Sequence, residues 1–365
     1  MREKGRSREE LFSFLARRRG EDLEYGRILS SMCTRPHPVA VEAEAMFAGT
    51  NLGDPGLFPG TAGIERLLIE SLGDLLHHPG ACGYATSGGT ESNIQVLRMA
   101  RGLAGVQDPN VVVPESAHFS FEKACDLLSI EIRPVPLDRN FRMDAEAAEE
   151  QVDRNTTCLV GIAGTTEYGM VDPIRILSDI AVDRGVFFHV DAAFGGLVVP
   201  FLEEPIPFDF ALPGVCSISV DPHKMGMSPI PAGALLVRDE GMLSPLSVAT
   251  PYLTVKKEYT LTGTRPGGPV AGAFAVLEFL GREGMRSIVQ GCMANTARLI
   301  AGLETFGLER AVTPDVNVAT FTCDRTPPGW QISRTRKGHL RIVCMPHVSR
   351  DQVEAFISAM GEIHA

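Results

Sequence analysis

The chain has 365 residues, 44% of them hydrophobic and 22% charged, with a formal net charge of −11. That length supports a large core plus a second, smaller domain, and a mean hydropathy of +0.05 is ordinary for a globular chain. The acidic balance argues against general nucleic-acid binding, which needs clustered Lys and Arg, and no apolar run is long enough for a membrane span.

The opening stretch MREKGRSREELFSFLARRRG is charged and lacks the apolar centre of a signal peptide. Ser7 and Glu10 fit a capping box, and Leu11, Phe12 and Leu15 follow on a helical period. An amphipathic arm is expected, of the kind that packs on a partner subunit. None of the cysteines lies within four residues of another, which excludes a zinc knuckle or a CxxC pair and fits reduced thiols in a cytoplasmic protein.

NLGDPGLFPGT (51–61) reads as a Gly/Pro loop, and a helix follows with Ile64, Leu67, Leu68, Leu72, Leu75 and Leu76 on one face. Next comes TSGGTES, in which Ser87, Gly88, Gly89 and Thr90 directly precede a helix. Glycines let a backbone approach an anion, and a helix start offers free N–H groups, so a phosphate fits. An ordinary capped Gly turn fits equally well. The segment is neither a Walker loop nor GxGxxG.

Short apolar runs at 111–113, 159–163, 186–190, 215–220 and 234–237 then alternate with helical patterns. They predict an α/β fold with a mostly parallel sheet covered on both faces, whose ligands sit beyond the carboxyl ends of the strands. His118, Thr165, Asp191 and Lys224 fall just there. Asp191, in HVDAAFGG, ends an apolar strand, where an unpaired charge is costly; a protonated pyridine nitrogen would partner it, and Ala192 and Ala193 leave room for a flat ring. Strand-end aspartates more commonly cap a turn. Lys224, in DPHKMG, follows another strand; partial desolvation would depress its pKa and make it a nucleophilic amine toward an aldehyde. His223 could donate to a phosphate and His118 could stack on a heteroaromatic ring.

Beyond residue 260 the pattern changes to long helices through 270–280 and 293–303, strands in VNVATFTCD and HLRIVCMP, and a second capping box at Ser349 and Gln352. That box opens a helix through Val353, Phe356, Ile357 and Met360. The expected division is an arm at 1–50, a large domain at 51–258, and a linking helix with a small α+β domain at 259–365. Phosphate loop, stacking His, strand-end Asp and His-Lys come in an order that supplies the handles for pyridoxal 5′-phosphate (PLP).

TSGGTESN, HFSFEKA, HVDAAFGG and DPHKMG resemble the motifs of the group II PLP-dependent amino-acid decarboxylases of fold type I, which include glutamate and aromatic amino-acid decarboxylases. SMCTRPHP, NLGDPGLFPGT, TPYLT and LRIVCMPH are similar to the short archaeal L-tyrosine/L-aspartate decarboxylases of methanogens. The resemblance runs from about residue 25 to the end. It implies a fold-type I PLP-dependent transferase fold and a homodimer with shared active sites. Lys224 would carry the cofactor covalently, Asp191 would pair with its ring nitrogen, and His118 and Ala193 would flank the ring. Ser87, Gly88, Gly89, Thr90, Thr165 and His223 would complete the cofactor site, with Gly263 and Thr264 reaching the phosphate from the neighbouring subunit. Arg341 would bind the substrate carboxylate, and Tyr252 is the candidate proton donor, acting across the dimer from a loop. The implied reactions are L-tyrosine to tyramine, for methanofuran, and L-aspartate to β-alanine, for coenzyme A. Other fold-type I enzymes compete, among them an aminotransferase, a cysteine desulfurase, glutamate decarboxylase and a sphingosine-phosphate-lyase-like C–C lyase, which GTRPGG also resembles. A phosphate-binding regulatory module with an unreactive Lys224 is the alternative of a different class.

Overall fold

The computed structural model describes residues 1–364. Helix α1 (Arg8–Arg19) opens at the expected capping box: Glu10 N–H donates to Ser7 Oγ at 3.2 Å, and Ser7 N–H to Glu10 Oε2 at 3.0 Å. Its Leu11, Phe12 and Leu15 are all exposed within this single chain. Helices α2 (Pro38–Phe47) and α3 (Pro59–Leu75) follow, each begun by a proline at its first turn, where no N–H is needed. Of the apolar face foreseen on α3, Leu68, Leu72, Leu75 and Leu76 are buried, and Leu67 faces out.

The central unit runs β1 (Cys82–Thr86), α4 (Gly89–Ala104), β2 (Asn110–Pro114), α5 (Ser120–Leu128), β3 (Glu131–Val135), α6 (Ala145–Gln151), β4 (Thr156–Ile162), α7 (Ile174–Arg184), β5 (Phe187–Asp191), β6 (Val215–Val220) and β7 (Gly233–Val237). These strands form a seven-stranded sheet in the order β1-β7-β6-β5-β4-β2-β3. The pairs from β6 through β3 are parallel, and β7 is antiparallel to both of its neighbours. Alternation along each strand sorts side chains to two faces. Val111, Val113, Val160, Ile162, Leu235 and Val237 join the core beneath α4 and α5. Val112, Leu159, Phe188, Val190, Ile218, Val220 and Leu236 join the larger core on the other side.

Two strands lie outside the apolar runs picked out from the sequence. β3 carries Glu131, Arg133 and Pro134; it is an edge strand, where charge and proline are tolerated and block further pairing. β1 contains Gly83. There φ is +149°, and a Cβ would stand 1.9 Å from the Leu235 carbonyl oxygen, so the antiparallel pairing with β7 requires glycine.

After two short strands, β8 (Val248–Ala249) and β9 (Lys257–Glu258), the two helices expected through 270–280 and 293–303 follow end to end within α8 (Gly267–Glu304). They are separated at Gly281, whose φ of 58° and ψ of −173° are not helical. A three-stranded antiparallel sheet of β10 (Val318–Phe321), β12 (Leu340–Val343) and β11 (Ser333–Arg334), in that order, and helix α9 (Arg350–His364) complete the fold. The second capping box forms as expected, with Gln352 N–H on Ser349 Oγ at 3.2 Å and Ser349 N–H on Gln352 Oε1 at 2.7 Å. The N-terminal segment is stitched to this layer. Leu29 N–H donates to Gln331 C=O at 2.9 Å, and Val343 N–H donates to Leu29 C=O at 2.8 Å.

Between the layers lies a buried ion pair, Arg265 with Glu65. Arg265 also donates to the carbonyls of Ala85 and Leu52, and Glu65 accepts the Ala85 N–H at 2.9 Å. Truncating one partner leaves a buried charge alone, so Arg265→Ala is expected to lower stability by about 3–5 kcal/mol. Urea unfolding should show this, and an Arg265→Ala/Glu65→Ala double variant should lose less than the sum of the two single variants.

Candidate active site

The carboxyl ends of β4, β5 and β6 and the start of α4 enclose a cavity of about 240 Å³. The sheet topology puts it there, because parallel strands end on one side and the α4 N-terminus points to the same place. Ser87, Gly88, Gly89, Thr90, His118, Asp191, Ala193, His223 and Lys224 line it, which brings together nine residues singled out from the sequence. A Cβ on Gly88 would meet the His223 Cε1 at 3.0 Å, and one on Gly89 would meet the Ala193 Cβ at 3.1 Å. Only glycine leaves the backbone of this helix start open to the cavity.

Asp191 is 6% exposed and fully furnished with donors. Its Oδ2 accepts from the Asn93 amide at 2.9 Å, and its Oδ1 from Ala193 N–H at 3.1 Å and from the Ser219 hydroxyl at 3.2 Å. Burial alone would push this carboxyl up. His189, protonated in the acid range where this carboxyl titrates, the Lys224 ammonium, the Asn93 amide and the Ala193 N–H outweigh burial, and the net direction is down. Behind Asp191 the network continues. Asn93 spends both amide hydrogens on Asp191 and on Ser120 Oγ (3.0 Å), so its Oδ1 must accept from His189 Nε2 at 3.3 Å. His189 Nδ1 then lies 2.8 Å from the Ser217 hydroxyl. Burial lowers the His189 pKa to about 4, so the ring is neutral and Asp191 carries the charge of this cluster.

Lys224 departs from expectation. A depressed pKa was foreseen from desolvation, and burial does pull it down. Asp221 Oδ2, however, lies 3.2 Å from Lys224 Nζ, and this carboxylate together with Asp191 raises the pKa above the ordinary lysine value. Asp221 is 2% exposed, accepts Gly89 N–H on the same Oδ2 at 3.1 Å, and has no partner on Oδ1. His223 is anchored through Nδ1, 2.6 Å from the Ala232 carbonyl, leaving Nε2 directed to within 3.7 Å of Asp221. His118 Nδ1 accepts the Ser120 N–H at 3.2 Å, and burial lowers its pKa against the opposing pull of Asp191.

Thr165 is a correction. It is fully buried, and its hydroxyl accepts Met170 N–H at 3.0 Å inside a turn, so its neighbour Thr166 lines the cavity instead. Four other named residues lie outside the lining of this chain's cavity. Tyr252 is 87% exposed in the β8–β9 loop, and Gly263 and Thr264 are exposed next to buried Arg265. Arg341 is buried on β12, donating to Ser333 Oγ at 2.8 Å and to Ser30 C=O at 3.0 Å, with no partner for Nε. Sequence reasoning missed Asn93, Ser116, Thr166 and Asp221, all of which line the cavity. Only Asp221 had a local signal, its placement three residues before the lysine. Arg336, between β11 and β12, steadies the wall at Ser116: its guanidinium donates to the carbonyls of Glu115 and Ala117, and its N–H to Glu167 Oε2 at 3.0 Å.

These residues fit PLP: an amine for its aldehyde, a carboxylate held charged for its ring nitrogen, and a glycine-opened helix start for its phosphate. Comparison with known proteins agrees. A family model described as the pyridoxal-dependent decarboxylase conserved domain matches residues 48–320. The chain is 66% identical over 365 residues, 100% of both proteins, to a probable L-tyrosine/L-aspartate decarboxylase of Methanoculleus marisnigri. It is 49% identical over 354 residues, 94% of this chain and 96% of the other, to a probable L-aspartate decarboxylase of Archaeoglobus fulgidus. Among solved structures, a sphingosine-1-phosphate lyase of Burkholderia pseudomallei superposes with a TM-score of 0.91 at 30% identity, covering 99% of this chain and 91% of that one. A glutamate decarboxylase of Lactobacillus brevis does so with a TM-score of 0.90 at 22% identity, covering 99% and 93%, which speaks to the fold alone. The chain belongs to the pyridoxal-dependent decarboxylase family and is a PLP-dependent amino-acid decarboxylase of fold type I.

The Asn93 amide is the hub of the buried network. Asn93→Ala strips a donor from Asp191 and an acceptor from His189, and should cost about 1–3 kcal/mol in urea unfolding.

Proposed function

We propose that the enzyme removes the α-carboxylate of L-tyrosine, L-aspartate or both as CO2, giving tyramine and β-alanine. The observation that carries this reading is the convergence of Lys224, Asp191 and the α4 start on one cavity. The substrate choice is supported by the relatives named for those two amino acids.

Bound PLP supplies an electron sink conjugated to the substrate α-carbon. In the proposed division of labour, Lys224 Nζ would be the covalent anchor for the cofactor aldehyde. Asp191, kept ionised by its three donors, would pair with the ring nitrogen and keep it protonated. Ser87, Gly88, Gly89, Thr90 and His223 would hold the phosphate, and His118 and Ala193 would flank the ring. Arg341 is the proposed partner of the substrate carboxylate; burial lowers its pKa and Glu167 opposes that.

Tyr252, Gly263 and Thr264 enter the proposal through a second copy of the chain. They are exposed and outside their own cavity, as groups serving a neighbouring subunit would be. The exposed apolar side chains of α1 suit the same homodimer. The proposed domain division (1–50, 51–258 and 259–365) places the seven-stranded sheet in the second part and the three-stranded sheet in the third. No helix among the described residues is long and apolar enough to cross a membrane; a cytoplasmic location is part of this proposal.

A C–C lyase reading rests on the 30% identity to the sphingosine-1-phosphate lyase. A panel of L-amino acids and a sphingoid phosphate, assayed for CO2, amine and aldehyde, separates the readings. CO2 with tyramine or β-alanine is expected. Preferred turnover of glutamate, or cleavage of the sphingoid phosphate to an aldehyde, would overturn the proposal. Borohydride reduction of the PLP-loaded enzyme should fix the label on the peptide containing Lys224. Lys224→Ala should lose turnover by several orders of magnitude, as is usual when a covalent nucleophile is removed.

A further inference from the structure

The cavity holds two buried carboxylates, and their surroundings differ. Asp191 accepts three hydrogen bonds on two oxygens, so protonating it would break bonds already made. Asp221 accepts Gly89 N–H and the Lys224 ammonium on Oδ2 alone, and its Oδ1 is buried without any donor. A proton passed from Lys224 reaches Oδ2, the oxygen 3.2 Å from Nζ, and Oδ1 is committed to no other donor. A buried oxygen left without a partner is costly, and natural interiors rarely keep one without a use.

Local geometry delivers this carboxylate to the amine. The turn after β6 closes through Lys224 N–H on Asp221 C=O at 2.9 Å, which sets residues three apart on one side. Other titratable groups are less well placed. Asp191 makes no ion pair with Lys224 within 4.0 Å among the described residues, and His223 Nδ1 is engaged by Ala232. Cys33, whose thiol is pushed up by burial, and His118 are the remaining ionisable groups that act on Lys224 or feel its charge. An ammonium cannot attack an aldehyde, so this lysine must lose a proton to become a nucleophile and regain one when released.

We propose that Asp221 is the proton acceptor and donor of the Lys224 amine. In the forward step one N–H bond of the Lys224 ammonium breaks and one O–H bond forms on Asp221, converting an ammonium–carboxylate pair into a neutral amine and a carboxylic acid. The reverse step restores the pair when the amine is set free. The pair has no net charge in either form, so the transfer leaves the net charge of the cavity unchanged. This inference rests on the assignment of Lys224 as the cofactor lysine, and its test is separable from that assignment.

The full-length chain, freed of PLP, is treated with acetic anhydride across a pH range, and labelling of Lys224 is followed by peptide mass spectrometry. In the wild type Lys224 should remain unreactive to a higher pH than ordinary lysines. In Asp221→Asn it should label at least about tenfold faster at neutral pH, the change that one pKa unit produces. PLP reloading is then timed from the visible absorbance of the lysine-bound cofactor. The wild-type rate should be indifferent to acetate or imidazole concentration, whereas the Asp221→Asn rate should rise with either, because the buffer replaces the missing proton carrier. Asp221→Glu should restore buffer independence. An unchanged labelling profile in Asp221→Asn, or reloading of that variant that ignores buffer, overturns the proposal. Should Asp221→Asn not fold, a wild-type Lys224 that labels like, or more readily than, ordinary lysines overturns it equally. Borohydride trapping away from Lys224 would instead refute the cofactor-lysine assignment.

Discussion

A carboxylate at the end of a buried strand has to be kept charged away from water. Asp191 meets that constraint with an amide from α4, a hydroxyl from β6 and its own turn's N–H. Each donor comes from a different element, so β5, β6 and α4 must hold their places for the charge to survive. The polar residues on the α4 side of β5 and β6 follow from this. His189 and Ser217 occupy positions where an apolar core would be the simpler choice, and they complete the hydrogen bonds of Asn93.

The second charge in the cavity is handled differently. Lys224 is held as an ion pair with Asp221, which also touches the first N–H of α4. The helix start, the lysine and this carboxylate therefore form one electrostatic unit. Helix N-termini favour anions, so the same feature that suits a phosphate also steadies Asp221.

Much of this was legible along the chain. The central strands announce themselves as unbroken apolar runs because both of their faces are covered. Glycines before α4, an aspartate closing β5 and a lysine after β6 are local patterns, and the fold brings them to one cavity. What was illegible depends on neighbours distant in sequence. Asn93 matters because it sits 98 positions from Asp191 and beside it in space. Thr165 and Thr166 are chemically alike, and only the turn that closes on Met170 decides which one faces the cavity. The nucleophilic lysine was read from burial alone, which missed the carboxylate that dominates its charge. β3 hid because an edge strand tolerates charge and proline, and β1 because its glycine serves a close backbone approach.

The stitching of Leu29 into the C-terminal layer bears on the order of assembly. Ser30 and Arg341, joined by a hydrogen bond in that seam, are 311 positions apart. As the polypeptide emerges from the ribosome, the segment around Leu29 has no strand to join until Gln331 and Val343 have been made. Contacts of such span are slow to close and form late. Arg336, which braces the cavity wall at Ser116, belongs to the same late layer. The central sheet can thus be in place while this wall is still open, and a nascent chain truncated before residue 331 would lack the brace altogether.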